Sequence, residues 1–176
     1  LSIEVLPASA FAIPEPEETQ LTFVENALLK ARHASRISGL PALADDSGLC
    51  VNALHGAPGL YSARYAGPKA QSGDNIAKLL RALEGLTDDQ RGAHFHCALA
   101  LIRHPEDPAP LIAEGQWFGQ ILSHPRGDAG FGYDPVFLDL ASGRSAAELS
   151  RTEKAAISHR GRALSHLKQA LTSHPL

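Results

Sequence analysis

Apolar and polar positions alternate over Leu1-Ser2-Ile3-Glu4-Val5-Leu6, the period-two pattern of a half-buried strand. Ala12 to Gln20 carries two prolines and three glutamates and reads as a surface loop. Phe23, Val24, Ala27, Leu28, Ala31 and Ala34 then recur at helical spacing. A helix is therefore predicted from Thr22, with Glu25 in the capping-box position, to a stop at Gly39. The apolar run Leu40 to Ala44 predicts a buried strand that ends at Asp45-Asp46, followed by a Ser47-Gly48 turn.

Gly56-Ala57-Pro58-Gly59 is a turn signal leading into Tyr61 to Gly67, and Ile76, Leu79, Leu80 and Leu83 mark one side of a helix over Asp74 to Leu86. Ala93 to Arg103 and Pro110 to Leu122 read as two long strands joined through His104 to Pro110, a hairpin loop without helical character. A glycine-rich break over Gly127 to Pro135 precedes a short strand, Val136 to Leu138. The stretch Glu153 to Leu171 is mainly helical, with Ala156, Ile157, Leu164, Leu167 and Leu171 apolar. No internal repeat or interdomain linker interrupts this order. Strands and helices mixed in this way predict an α/β domain with a mixed, twisted sheet.

Length and composition narrow the class. At 176 residues the chain is expected to form a single domain over 1–176, and 44% hydrophobic with 20% charged residues is an ordinary globular balance. A net charge of −3 without a long basic tract argues against a nucleic-acid polymer as partner, while leaving room for a small phosphorylated ligand. Cys50 and Cys97, the two cysteines, lie far apart without metal-site spacing, which fits a reducing compartment. No apolar run reaches membrane-spanning length and no signal-peptide pattern opens the chain, so a cytoplasmic protein is expected. The sequence contains no methionine and opens at Leu1 inside an apolar stretch, so a first element of the fold is expected to lie outside these residues.

Four places could carry chemistry. Asp45-Asp46 at a strand end would suit a hard divalent cation such as Mg²⁺, which activates water and neutralises phosphate charge; the alternative is an Asp-Ser-Gly turn with solvated acids. Glu25 is a helix-capping carboxylate, or it helps hold a metal–phosphate complex at the helix start. In Gly130-Phe131-Gly132-Tyr133-Asp134-Pro135, two glycines bracket an aromatic ring that a planar base could stack on; otherwise Phe131 and Tyr133 pack into the core of a tight turn. Lys154 could pair with a phosphate and His159-Arg160 could hydrogen-bond a base or sugar, unless they form a solvated helix face. His94 and His96 share a strand face without a third ligand and read as structural.

Taken together, Thr22-Phe-Val-Glu-Asn-Ala-Leu-Leu-Lys-Ala-Arg32, Ala44-Asp-Asp-Ser-Gly-Leu49, Gly56-Ala-Pro-Gly59, Tyr61-Ser-Ala-Arg-Tyr65, Gly130-Phe-Gly-Tyr-Asp-Pro135 and Ser158-His-Arg-Gly161 resemble the inosine/xanthosine triphosphate pyrophosphatase family. The resemblance runs over nearly the whole chain and is closest to bacterial members. It implies hydrolysis of deaminated purine nucleoside triphosphates (ITP, dITP, XTP) to the monophosphate and pyrophosphate, keeping them out of nucleic acid. It also implies a long mixed sheet flanked by two lobes with the nucleotide between them, and a homodimer.

By the same resemblance Asp46 is the catalytic base and a Mg²⁺ ligand, Glu25 the second metal ligand, and Ser47 a substrate contact. Phe131, Gly132, Tyr133, Asp134 and Lys154 would line the nucleotide site, with His159 and Arg160 at the edge of the base. Family members open with a strand and a Ser/Thr-Gly-Asn-x-x-Lys-type loop that grips the triphosphate; neither is found in this sequence. The alternatives are a pyrophosphatase for pyrimidine or other modified nucleotides, and a truncated, non-catalytic nucleotide-binding module.

Overall fold

The computed structural model describes residues 4–173. Of the strand expected over Leu1 to Leu6, Leu1 to Ile3 lie outside the described residues, and Glu4 to Leu6 carry no strand pairing.

Helix α1 (Phe23–Ser38) starts where Thr22 Oγ1 accepts the Glu25 backbone N–H at 3.2 Å and stops at Gly39, whose φ of 71° lies in the left-handed region. Five strands follow: β1 (Ala42–Val51), β2 (Gly92–Ile102), β3 (Leu111–Ile121), β4 (Phe137–Asp139) and β5 (Arg144–Ser145), paired in that spatial order. The α/β class and the helix-flanked long sheet stand as expected, but every strand pair among the described residues is antiparallel, where a mixed sheet was expected.

The β2–β3 hairpin falls within a residue of its expected bounds. Its loop is organised by Asp107, 1% exposed, which accepts the Arg103 N–H, the Arg103 guanidinium and the Ala109 N–H, each at 2.9 Å.

The first long strand does not end at the two acids but runs on through Asp45, Asp46, Ser47 and Gly48 to Val51. Its partner strand supplies a full ladder, from Ala42 opposite Ile102 to Val51 opposite Ala93, and that pairing overrides the turn preference of Asp-Ser-Gly. Gly48 serves a close approach instead of a turn: a Cβ there would press into the Gly59 carbonyl and stand 2.9 Å from Phe23 and Ser62.

Helix α1 covers one sheet face through Ala27 and Ala31 against Ala98, Ala100 and Ile102. Helix α2 (Ser72–Ala82) begins two residues ahead of its expected start, because Asp74 caps from within the first turn by accepting the Gln71 N–H at 2.8 Å. It packs Ile76 and Leu79, with Leu83 just beyond its end, against an aromatic core of Phe95, Trp117 and Phe137.

The expected C-terminal helix is two, α3 (Arg151–Ile157) and α4 (His159–Ser173), broken where Ser158 adopts an extended conformation at φ −67°, ψ 160°. Ala163 and Leu167 of α4 close the other sheet face over Cys97, Leu99 and Ala113. Among the described residues no helix is long and apolar enough to cross a membrane.

Candidate active site

Because Asp45 and Asp46 are consecutive within a strand, their side chains leave opposite faces of the sheet. They do not project together into one cleft, as expected for a strand end, and each heads its own cluster.

On the α1 side Asp46 is buried, 7% exposed, and its Oδ1 accepts Lys30 Nζ at 2.9 Å. Lys30 also donates to the Asp45 carbonyl at 3.3 Å and pairs with Glu18 at 2.6 Å, and Arg64 pairs with the other Glu18 oxygen at 3.0 Å. Burial pushes the Asp46 carboxyl above its ordinary range; Lys30 and, last, the Asn26 amide oppose that shift, and the nearby Glu18 charge adds to it. At Lys30 burial works downward, but the bonds to Glu18 and Asp46 win and hold the ammonium up. At Glu18 burial works upward, and the Lys30 and Arg64 bonds bring the carboxyl below its usual range. Asp46 Oδ2 is buried and has no hydrogen-bond partner among the described residues.

Glu25 stands at the capping position, the first of its two readings, and not beside Asp46 as the resemblance implies for a metal ligand. Its carboxylate is exposed and accepts the Thr22 hydroxyl at 2.7 Å, and no hydrogen bond or ion pair joins it to Asp46. Glu18, read from sequence only as part of a polar loop, is the second acid that the fold brings to Lys30 and Asp46.

On the α4 side Asp45 Oδ2 accepts Arg160 at 2.7 Å and the Ser47 hydroxyl at 3.2 Å. Burial would raise the Asp45 carboxyl, but Arg160 holds it below the usual range. A cavity of about 360 Å³ opens here, lined in part by Ser47, Phe131, Gly132, Tyr133, His159 and Arg160.

His159 is 7% exposed and stacks on Phe95 with ring centroids 4.8 Å apart and planes 15° apart. Burial first, then the Arg160 and Lys154 charges, push its pKa down to about 3, so the imidazole is neutral near pH 7.

The glycine-bracketed segment divides in two. Phe131 is 69% exposed, with Lys154 Nζ 4.8 Å from its ring centroid, whereas Tyr133 is core, 4% exposed, and donates its hydroxyl to the Ser62 carbonyl at 3.0 Å. Asp134, 2% exposed, pairs with Lys154 and accepts the Phe131 N–H at 2.8 Å. Gly130, at φ 81°, leaves no room for a Cβ beside that carboxylate. A second cavity of about 600 Å³ shares the Phe131 wall and is lined by Leu149, Lys154, Ala155 and Leu164.

His96, read as structural, bonds Glu114 at 3.0 Å and stacks on Phe23 with centroids 4.9 Å apart.

Glu18, Asn26, Lys30, Arg64 and Ser62 join the site without a role assigned from sequence. Lys30 had a signal, standing one helical turn after Asn26 on the face that meets the sheet. Arg64 and Ser62 stood within the Tyr61 to Tyr65 motif without a role, and Glu18 had no signal, since it depends on a loop path.

Comparison with known proteins bears on this arrangement. A model of the Ham1 family matches residues 1–170. A dITP/XTP pyrophosphatase of Ralstonia nicotianae is 58% identical over 97% of this chain and 86% of its own length, and one from Escherichia coli K12 is 53% identical over 96% and 86%. A HAM1 protein of Coxiella burnetii superposes with a TM-score of 0.93 at 54% identity, covering 98% of this chain and 88% of that one. The Staphylococcus aureus Ham1 protein gives 0.83 at 41% identity, over 89% and 80%. With the sheet, the helices and more than half of the residues shared over almost its full extent, this chain belongs to the Ham1 family.

Proposed function

We propose that this protein is a nucleoside-triphosphate pyrophosphatase that hydrolyses dITP, XTP and ITP to the monophosphate and pyrophosphate. Its relatives described as dITP/XTP pyrophosphatases support the reading, and one observation carries it to particular residues. The same short stretch of strand offers a buried carboxylate with an unpartnered oxygen on one face and, on the other, a cavity walled by an exposed aromatic ring and a guanidinium.

Asp46 is the base. It accepts a proton from water as the water oxygen bonds to the α-phosphorus and the bond from that phosphorus to the pyrophosphate oxygen breaks, the bonding pair leaving with pyrophosphate. A raised carboxyl pKa brings its basicity toward the working pH. Lys30, on Oδ1, holds the carboxylate so that Oδ2 faces the reaction.

The cofactor is Mg²⁺, and Asp46 Oδ2, an oxygen without a partner, suits a hard cation; Glu18 stands beside it across Lys30, its two oxygens paired with Lys30 and Arg64 and needed by the ion when it binds. We place Glu18 in the role expected of Glu25, whose carboxylate is turned to Thr22. When bound, the ion neutralises triphosphate charge.

On the other face Phe131 stacks on the purine, with Gly132, Tyr133 and Asp134 shaping the wall. Ser47 contacts the nucleotide and Lys154 lines the same site. His159, being neutral, offers a donor or an acceptor to the base edge. Arg160 spends one donor on Asp45 and keeps others for the 6-keto oxygen of hypoxanthine or xanthine. Adenine places an amino group there, and the facing donors would cost about 1–3 kcal/mol. A homodimer working in the cytoplasm completes the reading.

Pyrophosphate release from ITP, dITP, XTP and ATP with Mg²⁺ tests the proposal, with Asp46→Asn as control. Release from the deaminated purines alone, abolished in the variant at unchanged melting temperature, is the expected result. Equal turnover of ATP, or an active Asn variant, would overturn it.

A further inference from the structure

Asn26 is almost fully enclosed, 1% exposed, yet its Nδ2 has no hydrogen-bond partner among the described residues. Its orientation is determined, because Oδ1 accepts the Gln20 backbone N–H at 3.1 Å, which turns the amide nitrogen the other way. Lys30 stands one helical turn on, on the same face, and donates to Asp46 Oδ1 at 2.9 Å. The Asn26 amide acts on the Asp46 carboxyl, drawing its pKa down, which places Nδ2 beside that carboxylate, yet neither Nδ2 nor the buried Oδ2 makes a bond of hydrogen-bond length. An amide used only to anchor the acidic loop needs its carbonyl alone, and leaving the NH₂ buried without a partner is a cost to folding. A donor and an acceptor buried side by side have the chemistry of a water-holding pair.

We propose that Asn26 is a further catalytic residue: its Nδ2–H donates to the water that Asp46 Oδ2 deprotonates. The inference rests on the assignment of Asp46 as base. The water then spends one lone pair on Asn26 and one hydrogen on Asp46. Its second lone pair forms the bond to the α-phosphorus, the pyrophosphate oxygen leaves with the P–O electron pair, and the proton passes to Asp46.

Two variants test this. Asn26→Leu keeps the volume and removes both the donor and the Gln20 contact; Asn26→Ser also gives up the Gln20 contact but offers a hydroxyl donor one bond shorter. Each is measured for kcat and KM on dITP, for melting temperature, and for affinity to a dITP analogue with nitrogen bridging the α- and β-phosphorus. The Leu variant should lose about 100-fold in kcat. Its analogue affinity should stay near wild type, both variants should lose a similar amount of melting temperature with the Gln20 bond, and the Ser variant alone should recover part of kcat.

Unchanged kcat in the folded Leu variant would overturn the proposal. So would a parallel fall of kcat, affinity and melting temperature in both, the mark of a loop anchor. A wild-type protein that leaves dITP intact would instead overturn the pyrophosphatase reading, and the inference with it.

Discussion

His159 is the residue whose chemistry depends most on its surroundings. Stacked on Phe95 and enclosed beside Arg160, it is pushed to a pKa of about 3 from an ordinary 6.5. The folded protein therefore binds fewer protons at His159 than the unfolded chain wherever the pH lies between those values. Its contribution is complete above pH 6.5 and is lost as pH falls toward 3. By pH 4.5 the loss amounts to about 2–3 kcal/mol. Asp107 and Glu153, both held below the usual carboxylate range, also weaken the protein in acid, but they do so equally in a His159→Phe variant. Urea unfolding of both proteins from pH 7.5 to 4.5 should show the variant gaining on wild type as pH falls. A constant difference would mean that His159 titrates normally. The histidine itself was legible in sequence through Ser158-His-Arg-Gly161, but its neutrality was not, because that depends on Phe95 and on a helix break. Likewise Asp46 was legible as an acid within a motif, whereas Lys30, Glu18 and Asn26 joined it only through packing of α1 and the path of the loop before it.

Among the elements, the glycines decide how closely helices meet the sheet. Gly115 on β3 faces the start of α4, where a Cβ would press into the His159 carbonyl oxygen and the Ala163 nitrogen and stand 3.1 Å from Arg162. Backbone cannot yield as a side-chain tip can, so Gly115→Ala should destabilise by about 1–3 kcal/mol or more. It should also draw His159 and Arg160 away from the cavity they line. Gly73, inside α2, has nothing within 4 Å of its ideal Cβ and no positive φ, so Gly73→Ala should gain about 0.4–1 kcal/mol. Denaturant midpoints of the two variants should move in opposite directions; a shared direction would refute the contact reading. Periodicity predicted α1 and the β2–β3 hairpin nearly to the residue because cap, apolar face and stop agreed locally. It misplaced the end of β1, since an Asp-Ser-Gly turn signal cannot reveal that a ten-residue partner ladder lies alongside.

For the whole molecule, the cavity is a join between parts of the chain that lie far apart in sequence. One bank is β1 with the Gly59–Arg64 segment: Ser62 Oγ accepts the Leu49 N–H at 2.9 Å and donates to the Gly59 carbonyl at 2.6 Å. The other is the glycine-bracketed segment carrying Phe131. Tyr133 crosses between them, its hydroxyl on the Ser62 carbonyl at 3.0 Å, while burial pushes its pKa up and keeps the phenol protonated as a donor. Tyr133→Phe removes that bond and leaves the Ser62 carbonyl without it, a loss of about 1–3 kcal/mol in stability. If the banks must be held at one spacing for a purine to stack on Phe131, a loosened cavity binds ground state and transition state less well to the same degree. KM should then rise several-fold while kcat stays near wild type, because the Asp46 cluster lies across the sheet and keeps its Lys30 contact. Steady-state kinetics on dITP, beside a melting curve, separates the outcomes. A fall in melting temperature with KM unchanged would make the Tyr133 bond a structural tie alone, and a fall in kcat would mean that the two faces of the sheet are coupled in the reaction.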